Sequence, residues 1–166
     1  MPIRPIVRFP DPSLRNRADA IEAFDDALQA LAGDLLDTMR AAPGIGITAC
    51  HIGVPKRLVI IELPDRSGVR TFVNPRIEWA SDEISRYEEG SVSMPGVTEI
   101  IERPSAVRFG FEDMAGGTHT EEANGLLAVC VQHEIDQLDG IFWVDRLSKL
   151  KRDRIIKRFN KMQRIA

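Results

Sequence analysis

At 166 residues, with 43% hydrophobic and 28% charged residues and a net charge of −3, the chain has the length of one domain, spanning 1–166, and an ordinary globular composition. That apolar content excludes a disordered chain, no apolar run reaches the roughly eighteen residues of a membrane span, and two cysteines are too few for a disulfide scaffold. Pro2, Pro5, Pro10 and Pro12 interrupt any apolar signal segment, so the expected compartment is the cytoplasm, with no membrane partner.

Along the chain, Phe24, Leu28, Leu31, Leu35 and Met39 recur at helical spacing behind the acids Asp19 and Glu22. This predicts an amphipathic helix over about residues 19 to 40, stopped by Pro43 and Gly44. Strand-type runs follow at 57–63, at 70–73 before Asn74-Pro75, at 97–102, at 107–112 and at 118–122, the last two joined by an Ala115-Gly116-Gly117 turn. Residues 126–138 begin with an unbroken apolar run, as expected of a helix buried on all faces. Short strands followed by a buried helix, without regular strand–helix alternation, predict an α+β fold: short antiparallel or mixed sheets around a central helix, with further helices near both ends. From Ser148 onward eight Lys or Arg face the single acid Asp153, while Leu150, Ile155, Ile156, Phe159 and Met162 keep helical spacing. This is an amphipathic helix with Ser148 as N-cap. Its basic side reads either as a solvated face or as an anchor for a polyanion.

The central helix carries Gln132-His133-Glu134-Ile135-Asp136-Gln137. In H-E-x-x-H metallohydrolases the two outer positions sit one turn apart and present imidazoles to a metal, with the Glu as general base. Here the second ligand position is Gln137. Earlier come Gly44-Ile45-Gly46-Ile47-Thr48-Ala49-Cys50-His51 and Glu88-Glu89-Gly90-Ser91-Val92-Ser93. In this order the three segments resemble the signature motifs of the peptide deformylase family, G-x-G-x-A-A-x-Q, E-G-C-L-S and Q-H-E-x-D-H. Asn74-Pro75, Arg103, Asn124-Gly125-Leu126-Leu127-Ala128 and Leu138-Asp139-Gly140 are further family-like landmarks, so the resemblance covers nearly the whole chain.

The resemblance implies hydrolysis of the formyl group of N-formylmethionyl peptides. It also implies a divalent ion, such as Fe, Ni or Zn, at Ser91, His133 and Gln137. Glu134 matches the catalytic Glu; His51 and the Val92 backbone N–H match the oxyanion donors; Gly44, Gly46 and Ile47 match backbone along the formyl-methionyl group. Of the three ligand positions, only His133 keeps a good ligand, because a neutral hydroxyl and an amide oxygen bind such metals poorly. Weak or absent metal binding and a strongly reduced deformylase activity follow. Without an ion the attacking water keeps its pKa near ~15.7, and a base alone supplies only about 10²- to 10⁴-fold. At His51 two readings stand: a ring that fills space and hydrogen-bonds Glu134 or Gln137, or a ligand, with His133, of a rearranged metal site in an active amidase. The expected partners are N-terminal methionyl or formyl-methionyl peptides, and a ribosome at the basic C-terminal helix. Cys50 and Cys130 are expected as buried thiols and His119 as a surface residue.

Overall fold

The computed structural model describes residues 2–165. Helix α1 (Asp26–Ala41) is followed by β1 (Gly46–Thr48), β2 (Leu58–Glu62), β3 (Val69–Ala80), β4 (Ile84–Ser91), β5 (Met94–Pro104), β6 (Ala106–Glu112) and β7 (Thr118–Asn124). Helices α2 (Gly125–Leu138) and α3 (Lys149–Ile165) complete the order. Five strands form an antiparallel sheet in the order β1-β2-β3-β6-β7, and β4 and β5 form a separate hairpin. Sheets and helices are thus segregated as the sequence predicts for an α+β fold.

Strand β2 explains the layering. Its run Leu58-Val59-Ile60-Ile61 is buried throughout because successive side chains serve opposite faces. Leu58 and Ile60 join Leu28, Leu31, Leu35 and Met39 of α1, whereas Val59 and Ile61 join Phe72, Phe109, Phe111, Ala128, Val131 and Ile135 around α2. A third cluster packs β5 against α3 through Met94, Val97, Ile101, Ile155 and Phe159, with Phe142 and Trp143 from the link between α2 and α3. Helix α2 lies among these elements, and ten of its fourteen residues are buried.

Two boundaries depart most from the sequence expectation, each for a tertiary reason. Helix α1 begins only at Asp26, where Asp25 Oδ1 accepts the Leu28 N–H at 3.0 Å. The preceding residues run extended: Asp19 bridges Lys56, and Ile21 exchanges two hydrogen bonds with the Asn74 side chain at 2.8 and 2.9 Å. Strand β3 continues through Asn74-Pro75 because a register shift between Val73 and Arg76 accommodates the left-handed Asn74 (φ 50°) and the missing proline N–H. Strands β1 and β4 are additional: β1 is three residues long, and β4 is too polar to read as a strand. Ser148 does cap α3, accepting the Lys151 N–H at 3.3 Å. Among the described residues no helix is long and apolar enough to cross a membrane.

Candidate active site

A cleft of about 350 Å³ opens between the edge of β1, the β4–β5 turn and the first three turns of α2. It has the size of a small-ligand site. Gly44, Gly46, His51, Ser91, Val92, His133 and Glu134 all line it, so the fold brings together seven of the nine residues singled out in the sequence. The other two lie elsewhere. Ile47 is fully buried in the α1 core, and Gln137, one turn beyond His133, points away from the cleft to donate its Nε2–H to the Leu14 carbonyl at 2.7 Å.

His133 is positioned by a chain of charges. Its Nδ1 donates to Glu89 Oε1 at 2.8 Å; Arg103 grips the same carboxylate from Nε at 2.6 Å and Nη2 at 2.9 Å and reaches Asp136 from Nη1 at 2.9 Å. Arg146 closes the network with two bonds to Asp136. Burial opposes the charge on Glu89, yet the bonds from His133 and Arg103 outweigh it and hold the carboxyl down at about 2. Burial also pulls His133 down, and the Glu89 bond with the charges of Glu134 and Glu89 reverses this to a net rise.

Glu134 has the opposite environment. It is buried, its Oε2 has no hydrogen-bond partner among the described residues, its Oε1 lies 3.9 Å from His133 Nε2, and burial pushes its pKa up to about 7. Gly46 makes room for it: a Cβ there would stand 2.8 Å from Glu134 Oε1. A carboxyl so placed can hold or release a proton near neutral pH.

His51 is fully enclosed, and its partner is neither Glu134 nor Gln137, as one sequence reading expects. The Thr48 N–H donates to Nδ1 at 2.9 Å and Thr48 Oγ lies 3.0 Å from the same nitrogen. The N-terminal segment braces this corner, Val7 N–H donating to the His51 carbonyl at 2.7 Å and Phe9 N–H to the Ser93 carbonyl at 2.8 Å. Ser91 spends its hydroxyl on the turn it begins, accepting the Ser93 N–H at 3.1 Å. Cys130 also lines the cleft, its thiol pushed up to about 12 by burial, while Cys50 is buried and likewise raised. His119 is half exposed and bonds Asp113 at 2.6 Å, away from the cleft.

These residues do not fit a first-row divalent ion. A site of the family's type needs a thiolate and two imidazoles; Ser91 offers a hydroxyl already used as an acceptor, and Gln137 faces Leu14. Among the described residues no group of three or more His, Cys, Asp or Glu side chains gathers as for a metal. Sequence reasoning gave no site role to Glu89, Arg103 and Asp136. Their only signal was their place inside or beside the motifs.

The polypeptide deformylase family model matches residues 3–153. A peptide deformylase-like protein of Brucella melitensis is 58% identical over 164 residues, covering 99% of this chain and all of that one. A peptide deformylase of Afipia carboxidovorans is 45% identical over 169 residues, covering 100% and 99%. Among solved structures, a peptide deformylase from Legionella pneumophila superposes with a TM-score of 0.92 at 38% identity, covering 99% of this chain and 97% of that one. One from Ehrlichia chaffeensis in complex with actinonin does so with a TM-score of 0.92 at 34% identity, covering 99% of each. The chain belongs to the polypeptide deformylase family.

Proposed function

We propose that this chain binds N-terminal methionyl or formyl-methionyl peptides in the cleft and does not carry out metal-dependent deformylation at the rate the family's reaction requires. The observation that carries this reading is the donor set. Of the three positions at which the family resemblance places ligands, only His133 turns a nitrogen toward the cleft. An ion held by one imidazole would not lower the pKa of water enough for rapid hydrolysis.

What remains is suited to binding. The half-buried edge strand β1 at Gly46, with Gly44 just before it, offers backbone to an extended peptide, and Leu126, Val129 and Cys130 supply an apolar wall for a methionine side chain. Glu134, with its pKa raised to about 7, can hold or release a proton beside the cleft at neutral pH, and Glu89 keeps the His133 ring in place. The test is to measure metal content and hydrolysis of N-formyl-Met-Ala-Ser on the same purified protein. The reading expects less than one ion per ten chains and turnover at least about 100-fold below a metal-loaded relative carrying all three ligands. A stoichiometric ion with ordinary turnover refutes it. The wall of exposed cations on α3, Arg154, Lys157, Arg158, Lys161 and Arg164, supports docking to a polyanionic surface such as a ribosome. Salt-sensitive cosedimentation with ribosomes checks that part.

A further inference from the structure

A second cavity, of about 250 Å³, lies between the β4–β5 hairpin and the start of α3, and none of its residues lines the cleft. Arg86 enters it from β4, and Arg146 and Lys151 from the chain that leads into α3. Three cations around one small hollow repel each other unless an anion lies among them.

The bonds each cation already makes decide what the hollow can take. Arg146 is fixed without being used up: Nε and Nη2 bond Asp136 at 2.9 and 2.8 Å, while Nη1 has no partner among the described residues. The Arg146 side chain is 45% exposed against 12% for Asp136, so solvent reaches the free edge of the guanidinium. Half-buried Lys151 forms no ion pair among the described residues. Ser148 accepts the Lys151 N–H and keeps its hydroxyl proton to donate. Opposing them is Glu102, which faces Arg86 in the hairpin register and stands 3.8 Å from its Nε. It is the single carboxylate in the lining and is largely exposed, so the cations outnumber it three to one.

We propose that this cavity is a phosphate-binding site, in which Arg86, Arg146 Nη1, Lys151 and the Ser148 hydroxyl share the oxygens of one phosphate group, carried by a free nucleotide or by an RNA strand. A phosphate offers three acceptor oxygens to donors converging from two sides, and its charge suits an arginine fork beside a lysine point charge. Ile100, exposed beside the cations, gives apolar surface to the organic part of a phosphate ester. The site depends neither on peptide binding in the cleft nor on the cations further along α3.

The experiment follows backbone ¹H–¹⁵N signals of the full chain as inorganic phosphate, AMP or a short single-stranded RNA is added at constant ionic strength. Saturable shifts are expected around Arg86, Arg146, Ser148 and Lys151. For phosphate and AMP, Lys151→Gln should weaken binding about tenfold or more, the worth of a charged hydrogen bond. Glu102→Gln should tighten it roughly threefold, a gain that no folding defect imitates. Lys157→Gln, outside the cavity, should leave both affinities as they are. Phosphate and AMP bound as tightly as RNA identify a free phosphate as the ligand, whereas RNA that displaces AMP at about tenfold lower concentration identifies a nucleic acid; both outcomes uphold the site. Phosphate or AMP shifts spread along α3, with Lys157→Gln as damaging as Lys151→Gln, overturn it in favour of general attraction to the helix. Absence of saturation, or an affinity that neither Lys151→Gln nor Glu102→Gln moves, overturns it outright.

Discussion

His133 Nδ1 donates to Glu89 Oε1 at 2.8 Å, and that same carboxylate is the anchor of Arg103, so one residue of the β4–β5 hairpin orients the central helix's imidazole and neutralises a buried guanidinium. Arg103 and Glu89 side chains are only 5% and 3% exposed. Glu89→Gln would leave Arg103 with Asp136 alone, and breaking such a buried pair costs about 3–5 kcal/mol. The expected outcome is a melting temperature lower by roughly 10 °C at pH 7. Because the Glu89 carboxyl is held at about 2, its contribution is complete above its ordinary value near 4.5 and is lost as pH falls toward 2. Chemical unfolding as a function of pH should therefore show the difference between wild type and Glu89→Gln shrinking over that acid range.

Glu134 has the reverse sign. Its folded pKa, raised to about 7 by burial, means that folding takes up a proton between about 4.5 and 7, so stability declines as pH rises through that window. Glu134→Gln removes the buried charge. The variant is expected to match the wild type below pH 4.5 and to exceed it by roughly 1–3 kcal/mol at pH 8. Urea denaturation at the two pH values measures this; a Gln variant less stable at pH 8 would mean that Glu134 is a satisfied anion.

The space beside Glu134 is kept by Gly46. With a Cβ placed 2.8 Å from Glu134 Oε1, Gly46→Ala must displace the carboxyl, at a cost of about 1–3 kcal/mol. In a Glu134→Ala background the same substitution should be nearly neutral, so a double-mutant cycle is expected to return most of the cost as coupling between the two positions.

Much of this site was legible because its residues sit in contiguous motifs: Gly44 and Gly46, Ser91 and Val92, His133 and Glu134 all fell on one cleft. What was hidden depends on contacts between distant segments. Glu89 stands opposite Glu99 in the hairpin register and Arg103 opposite Ser85, so no strand pairing rule would join Glu89 to Arg103. The partner of Gln137 is a backbone carbonyl 123 positions away, and that of His51 is a backbone amide three residues back. Side-chain bonds to main chain leave no trace in composition or spacing. The late start of α1 has the same origin, since the Asn74 side chain holds Ile21 in extended backbone against the helical pattern.

Gln137 also sets the terms on which a metal could return. Its Nε2–H bond to Leu14 ties α2 to the 3-10 turn at Pro12–Arg15, and Gln137→Ala should cost about 1–3 kcal/mol by leaving that carbonyl unpaired. A histidine at 137 can offer a ring N–H to the same carbonyl while its other nitrogen is free to turn toward His133, and a cysteine at 91 supplies a thiolate in place of the hydroxyl. The double substitution Ser91→Cys with Gln137→His is therefore expected to fold and to bind Zn²⁺ or Co²⁺ at least about 100-fold more tightly than the wild type. With Co²⁺, thiolate-to-metal absorption should appear, and some hydrolysis of N-formyl-Met-Ala-Ser should follow because Glu134 and His133 are already placed. Each single substitution should fall well short of the pair, since either one leaves the site with two good ligands. A folded double variant that takes up no ion in calorimetry would show that the cleft has diverged beyond these two positions.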